Sequence, residues 1–172
     1  KGQGVEQDCN KAIECYKKAA DLGDSNAMYN LGSLYAIGQG VEQDYNKAIE
    51  YYKKAADLGN SNAMINLGKF YAEGQGVEQD YNKAIEYFQK AADLGDSTAI
   101  NNLGSLYAIG QGVEQDYNKA IEYYQKAADL GDSNAMVNLG SLYVAGQGVE
   151  QDYNKAFEYY KKAADLGDSN AM

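Results

Sequence analysis

Ala27-Met28-Tyr29-Asn30-Leu31-Gly32-Ser33-Leu34-Tyr35 decides the fold, because nearly the same nine residues return at 63–71, 99–107 and 135–143, always 36 residues apart. A fixed period of this length is the mark of a repeat array and is read before any count of domains. Within the stretch, Ala27, Leu31, Leu34 and Tyr35 stand at i, i+4, i+7 and i+8, the apolar face of one helix. This is helix A of each unit. Asp24 or Ser25 can cap its start by accepting from free first-turn amides, and Gly38 marks its end.

Working outward, Gly38-Gln39-Gly40-Val41-Glu42-Gln43-Asp44 reads as a short loop. Its glycines permit positive φ, and Asp44 can cap the second helix of the unit. That helix B carries Tyr45, Ala48, Ile49, Tyr52, Ala55 and Ala56 on one face and stops at Leu58-Gly59. On its charged side Glu50 precedes Lys54 by four residues, the favourable order for a surface pair worth only a few tenths of a kcal/mol. The chain has no proline to interrupt either helix.

One such hairpin cannot bury enough apolar surface to offset an ordering cost of about 1.5 kcal/mol per residue, so the units must stack. Small residues such as Gly32, Ala48 and Ala55 let the helices approach closely. The expectation is an all-α array of helix-turn-helix units at 24–59, 60–95, 96–131 and 132–167. A partial unit at 1–23 contributes helix B only, and 168–172 begins a further unit. The chain reads as opening inside a loop, at Lys1-Gly2-Gln3-Gly4, and closing inside a helix, at Asn170-Ala171-Met172. On that reading it is a slice of a longer array whose uncapped ends, at Tyr16, Tyr160 and near Met172, expose apolar surface and associate head to tail.

The 172 residues are 45% hydrophobic and carry a net charge of −10, a balance that suits a folded chain with an acidic surface. An acidic field repels phosphate backbones, and no run of Lys or Arg reverses it locally, so nucleic acid is not an expected partner. No stretch reaches the roughly 18 consecutive apolar residues of a membrane span, and the first residues do not form a signal peptide. The compartment is left open. Cys9 and Cys15 stand where the next unit has Tyr45 and Tyr51. Six residues apart on one helix, they point about 240° from one another and act as packing substitutes rather than as a disulfide.

The pattern Ala27-x-x-x-Leu31-Gly32-x-x-Tyr35, Gly38-x-Gly40-Val41-x-x-Asp44 and Lys47-Ala48-x-x-x-Tyr52-x-x-Ala55-Ala56-x-x-Gly59 resembles the Sel-one-like repeat, a relative of the tetratricopeptide repeat. The likeness covers nearly the whole chain, with Phe88 for Tyr and Phe157 for Ile as conservative departures. It implies a right-handed α-solenoid, a superhelix of stacked helix-turn-helix repeats with helix A lining the concave side. It also implies a role as an adaptor in protein complexes.

Differences between units gather on helix A. One position runs Tyr29, Ile65, Asn101, Val137; the next Ser33, Lys69, Ser105, Ser141; the third Ile37, Glu73, Ile109, Ala145. At i, i+4, i+8 they form one stripe, which the tetratricopeptide likeness places in the concave groove. Beside it Asn30 recurs unchanged as Asn66, Asn102 and Asn138. Such a column of amides could grip the backbone of an extended peptide, as Asn ladders do in related helical arrays, or could bond a neighbouring helix. The stripe could read a partner or could record drift on a solvated face. Lys69 and Glu73, four residues apart, are expected to pair with each other. A peptide in the groove would meet Tyr29, Ile37, Ile65 and Ile109 and the Asn column, and the acidic surroundings favour a basic or neutral extended segment.

With no histidine and no tryptophan, His-based triads and the usual zinc sites are absent. Glu42, Asp44, Glu50 and Asp57 recur in every unit as caps, solubilisers or ion-pair partners, whereas catalysis needs one distinctive constellation. Gly38-x-Gly40 lacks the third glycine and the Lys-Ser/Thr pair of a phosphate loop, and Asp-Ser-Asn at 24–26 lacks EF-hand ligand spacing. No enzyme, cofactor or metal is expected. Most of the tyrosines are expected on buried faces. Two readings remain: a protein-binding scaffold, or a spacer whose units supply length and recognise nothing.

Overall fold

The computed structural model describes residues 2–167. Among them are nine helices: α1 (Gly2–Asp21), α2 (Ser25–Ile37), α3 (Tyr45–Asp57), α4 (Ser61–Glu73), α5 (Tyr81–Asp93), α6 (Ser97–Ile109), α7 (Tyr117–Asp129), α8 (Ser133–Ala145) and α9 (Tyr153–Asp165). Even-numbered helices are the A helices of the repeat, odd-numbered ones the B helices. The chain forms two compact units, Lys1–Tyr87 and Phe88–Met172. In the first, α1 packs on α2, α2 on α3 and α3 on α4; in the second, α6 packs on α7, α7 on α8 and α8 on α9. Consecutive helices thus pair along the chain, as an all-α solenoid requires.

The ends of the A helices are set by their side chains. Asp24, rather than Ser25, caps α2 by accepting from the Ala27 N–H at 2.9 Å, and Asn60 does the same for α4 through the Ala63 N–H at 2.9 Å. Gly38 closes α2 at φ 72° and donates its N–H to the Leu34 carbonyl. The loop after it is held by its own helix A. Gln43 Nε2 donates to the Ala36 carbonyl at 2.8 Å and to the Tyr45 hydroxyl at 3.1 Å, and the Asp44 N–H donates to the Tyr35 carbonyl at 2.9 Å. Asp44 in turn accepts from the Lys47 N–H at 3.0 Å, and that amide lowers its carboxyl pKa.

The first unit departs from expectation here. Residues 2–8, read as a loop, belong to α1. Cys15 is exposed and free. The Cys9 side chain and Asn170-Ala171-Met172 lie outside the described residues.

Apolar burial is continuous through each unit. Ile13, Ala20, Ala27 and Leu31 form one cluster with Tyr16, Met28, Leu34 and Tyr51 against it. Tyr52, Leu67, Ile100, Leu103 and Leu139 are almost fully enclosed, each worth about 1.5–3 kcal/mol when taken from water. Gly32 is where α2 meets α3: a Cβ there would lie 2.7 Å from the Tyr52 ring. The second loop glycine is required by packing as well as by φ. A side chain at Gly76 would collide with Tyr45 of the preceding B helix, and one at Gly148 would reach 2.7 Å from Tyr117.

Polar ties join successive repeats at the A-helix caps. Asn60 Nδ2 donates to Asn26 Oδ1 at 3.0 Å, and Thr98 Oγ1 donates to Asp132 Oδ2 at 3.5 Å. Burial raises the Asp132 carboxyl pKa, against the lowering effect of the Ala135 and Asn134 amides and Thr98, and nearby Asp96 adds to the rise.

Candidate functional site

The variable stripe is graded in depth rather than uniformly exposed. At its first position Ile65 and Asn101 are buried, at 6% and 8% exposure, while Tyr29 and Val137 are half-buried. Tyr29 leans on the Tyr52 ring at a centroid distance of 5.9 Å. Ile65 and Asn101 therefore offer little surface to a partner. At the second position Ser33 and Ser105 are half-buried, Lys69 and Ser141 exposed. At the third, Ile37, Glu73, Ile109 and Ala145 are all exposed, Ile37 at 64% and Ile109 at 57%. The face open to contact is thus the end of each A helix.

Lys69 and Glu73 form no ion pair within 4 Å among the described residues, and both stay in solvent. The expected pairing fails for a physical reason: Lys ahead of Glu at i, i+4 is the weaker order, and two exposed flexible side chains gain little from meeting. Glu50 and Lys54, in the better order, do meet at 2.7 Å.

The serines of the stripe are engaged inward. Ser33 Oγ donates to the Tyr29 carbonyl at 3.1 Å and shares a hydrogen bond with the Tyr52 hydroxyl at 3.1 Å. The Tyr124 hydroxyl donates to Ser105 Oγ at 3.2 Å, and Ser141 Oγ meets the Tyr160 hydroxyl at 3.2 Å. These pairs lie 19 residues apart, from helix A to helix B of one unit. The repeat that has Lys69 at the serine position has Phe88 at the tyrosine position. A change that removes the hydroxyl partner on helix A thus coincides with one that removes the hydroxyl on helix B, a linkage invisible until the pairing is known.

The Asn column is half-buried at all four positions, and its members do different things. The Asn66 side chain is hydrogen-bonded to the Tyr52 hydroxyl, whose pKa rises through burial despite Ser33 and Asn66. Asn138 Nδ2 donates to Asn101 Oδ1 at 2.9 Å. Asn102 Nδ2 is shielded from solvent and has no hydrogen-bond partner among the described residues. Bonds to neighbouring helices, one of the two readings of the column, are present at Asn66 and Asn138.

A second recurring feature escaped the sequence. Tyr35 stacks on Tyr51 at 5.7 Å and 9°, with Lys47 Nζ 5.3 Å from the first ring and Lys54 Nζ 5.5 Å from the second. The stack returns as Tyr71–Tyr87, Tyr107–Tyr123 and Tyr143–Tyr159. A cleft of about 380 Å³ at Tyr107, Lys119, Glu122, Tyr123 and Lys126 borders one of them. The stack fastens helix A to helix B, and at Tyr35 and Tyr51 a lysine covers each outer ring face. Tyr52, Tyr71 and Tyr124 are the buried tyrosines among the described residues, and the stacked ones are mostly half-buried.

Among the described residues no cluster of His, Cys, Asp and Glu could hold a metal ion, and no helix is long and apolar enough to cross a membrane. Of the recurring acids, Asp44 caps α3 through the Lys47 N–H and Glu50 meets Lys54.

The comparisons agree with this geometry. Sel1 repeats match at residues 1–24, 25–60, 61–96, 97–132 and 133–168. A Sel1 repeat protein from Oxalobacter formigenes is 43% identical with a TM-score of 0.90, over 99% of this chain and 70% of that one. The uropathogenic Escherichia coli protective antigen c5321, which displays an SLR fold, is 36% identical with a TM-score of 0.82, over 92% of this chain and 34% of that one. The immunity protein Pa5087 from Pseudomonas aeruginosa is 32% identical with a TM-score of 0.68, over 92% of this chain and 59% of that one. No curated protein matches. Matched along nearly its whole length by five consecutive repeats, the chain belongs to the Sel1 repeat family.

Proposed function

We propose that this array is a non-enzymatic scaffold that holds a peptide or protein partner on the face presented by its A helices. Sel1 repeat proteins are in general protein-interaction scaffolds. The observation that carries the reading here is where the repeats differ. Loop and helix B recur almost unaltered, whereas Ile37, Glu73, Ile109 and Ala145 change from unit to unit on exposed helix-A ends. An invariant frame presenting a varied surface is what recognition by a repeat array needs. The apolar members supply contact area, Lys69 and Glu73 supply charge, and a net charge of −10 draws in a basic extended segment.

The test is capture from an extract of the native host, comparing the array with a variant in which Ile37, Lys69, Glu73 and Ile109 are all changed to Ser. These side chains are exposed, so helicity by circular dichroism should be unchanged. A partner held by the first and lost by the second supports the scaffold. No partner, or one indifferent to the change, favours a spacer or another binding face.

A further inference from the structure

The tyrosine stacks are alike in sequence but not in what covers them. At Tyr35–Tyr51 an ammonium stands over each ring, Lys47 Nζ at 5.3 Å and Lys54 Nζ at 5.5 Å, and Lys54 also meets Glu50 at 2.7 Å. At Tyr143–Tyr159 Lys155 and Lys162 take the same places at 5.3 Å and 5.4 Å. Tyr107–Tyr123 has only half of this cover. Lys119 Nζ is 5.2 Å from the Tyr107 centroid, but among the described residues no ammonium stands over Tyr123 and Glu122 has no ion pair within 4 Å. Lys126, which corresponds to Lys54, instead borders a cleft of about 380 Å³ together with Tyr107, Lys119, Glu122 and Tyr123. Burial first, then the Tyr107 hydroxyl and the Glu122 and Asp93 carboxylates, raise the Tyr123 pKa, whereas at Tyr51 Lys54 works against the rise. The cleft thus keeps the ring and the carboxylate that hold a lysine at Tyr51, without the lysine.

We propose that the Tyr123 cleft binds an arginine side chain of a partner peptide, its guanidinium lying on the Tyr123 ring and donating to the Glu122 carboxylate. A planar guanidinium suits both contacts at once, because it stacks on aromatic faces and forks onto a carboxylate. The chain has no arginine of its own. Two cations also face the cleft: Lys119 is engaged over Tyr107, and Lys126 is exposed and free to turn into solvent as the ligand enters. The net charge of −10 favours the approach of a basic partner. The site uses none of the exposed helix-A ends at Ile37, Glu73, Ile109 and Ala145, so it stands or falls independently of that binding face.

The probe is N-acetyl-arginine N-methylamide, with the citrulline analogue as its uncharged isostere. Each is titrated into the native array while the ring signals of Tyr51, Tyr123 and Tyr159 are followed by NMR. Tyr123 should shift saturably at an arginine concentration about two- to fivefold below that needed at Tyr51 and Tyr159, where a lysine must first be displaced. The citrulline analogue should leave Tyr123 unmoved over the same range. Glu122→Gln changes an exposed side chain, so helicity by circular dichroism should be unchanged while the Tyr123 response weakens. A Tyr123 signal that stays still, shifts in step with Tyr51 and Tyr159, answers citrulline as strongly as arginine, or keeps its full response in Glu122→Gln overturns the proposal.

Discussion

Gly104→Ala should destabilise the array, although alanine is the better helix former. A Cβ at Gly104 would stand 2.8 Å from Tyr124 Cδ1 and Cε1 and 3.1 Å from Tyr123 Cβ. Carbon pairs rest at about 3.5–4.0 Å, so the helices must part by roughly 0.7 Å or the ring must turn. Tyr124 is 4% exposed and its hydroxyl is held by Ser105, so turning is blocked. Overpacking at a site held on both sides costs about 3 kcal/mol, and replacing a helical glycine returns about 1 kcal/mol. The net loss of about 2 kcal/mol should lower Tm by about 4–8 °C in a chain of this size. Gly140→Ala is the internal control. Its Cβ meets Tyr160 at 2.6 Å, but Tyr160 is half-buried on α9 and can swing outward at the expense of its Ser141 bond, leaving a net change near zero. Urea and thermal unfolding followed by circular dichroism measure both. If Gly104→Ala is as stable as the native chain, or Gly140→Ala loses more, the close approach of helices A and B does not organise the repeat.

Asp132→Asn should stabilise the array at neutral pH, because Asn60 fills the same position one pair of repeats earlier and an Asn cap replaces an Asp cap at little cost. Burial raises the Asp132 pKa above 3.8, so its charged form costs stability at neutral pH and the native chain recovers that stability as pH falls through the raised pKa. The gap between the two proteins in urea unfolding should narrow towards pH 4; a gap independent of pH would refute this. Tyr52→Phe removes a buried hydroxyl bonded to Ser33 and Asn66 and should cost about 1–2 kcal/mol, with chemical denaturation as the check. On α9, Tyr153 and Phe157 are 65% and 68% exposed, so the chain should self-associate with rising concentration and Phe157→Glu should suppress it. Light scattering that finds the native chain monomeric up to millimolar concentration contradicts this.

The fold was legible because its signals are local. Ala27, Leu31 and Tyr35 repeat at helical spacing, Gly38 ends each A helix, and Asp44 caps each B helix, all within one turn of the residues they organise. What lay beyond reading was contact between helices. That Ser33 meets Tyr52, or that Tyr35 stacks on Tyr51, depends on how two helices face each other, which no single helical period contains. The joint change of Lys69 and Phe88 was the available clue to the first. The depth of the stripe was hidden for the same reason. Tyr29 and Ile37 share a helix face, yet Tyr29 meets the Tyr52 ring of helix B while Ile37 stays exposed.

The most direct test of the account is hydrogen–deuterium exchange on the array with and without its captured partner. Added protection should fall on α2, α4, α6 and α8, centred on the exposed ends at Ile37, Glu73, Ile109 and Ala145. Protection confined to the B helices, or none at all, would contradict a binding face made by the A helices.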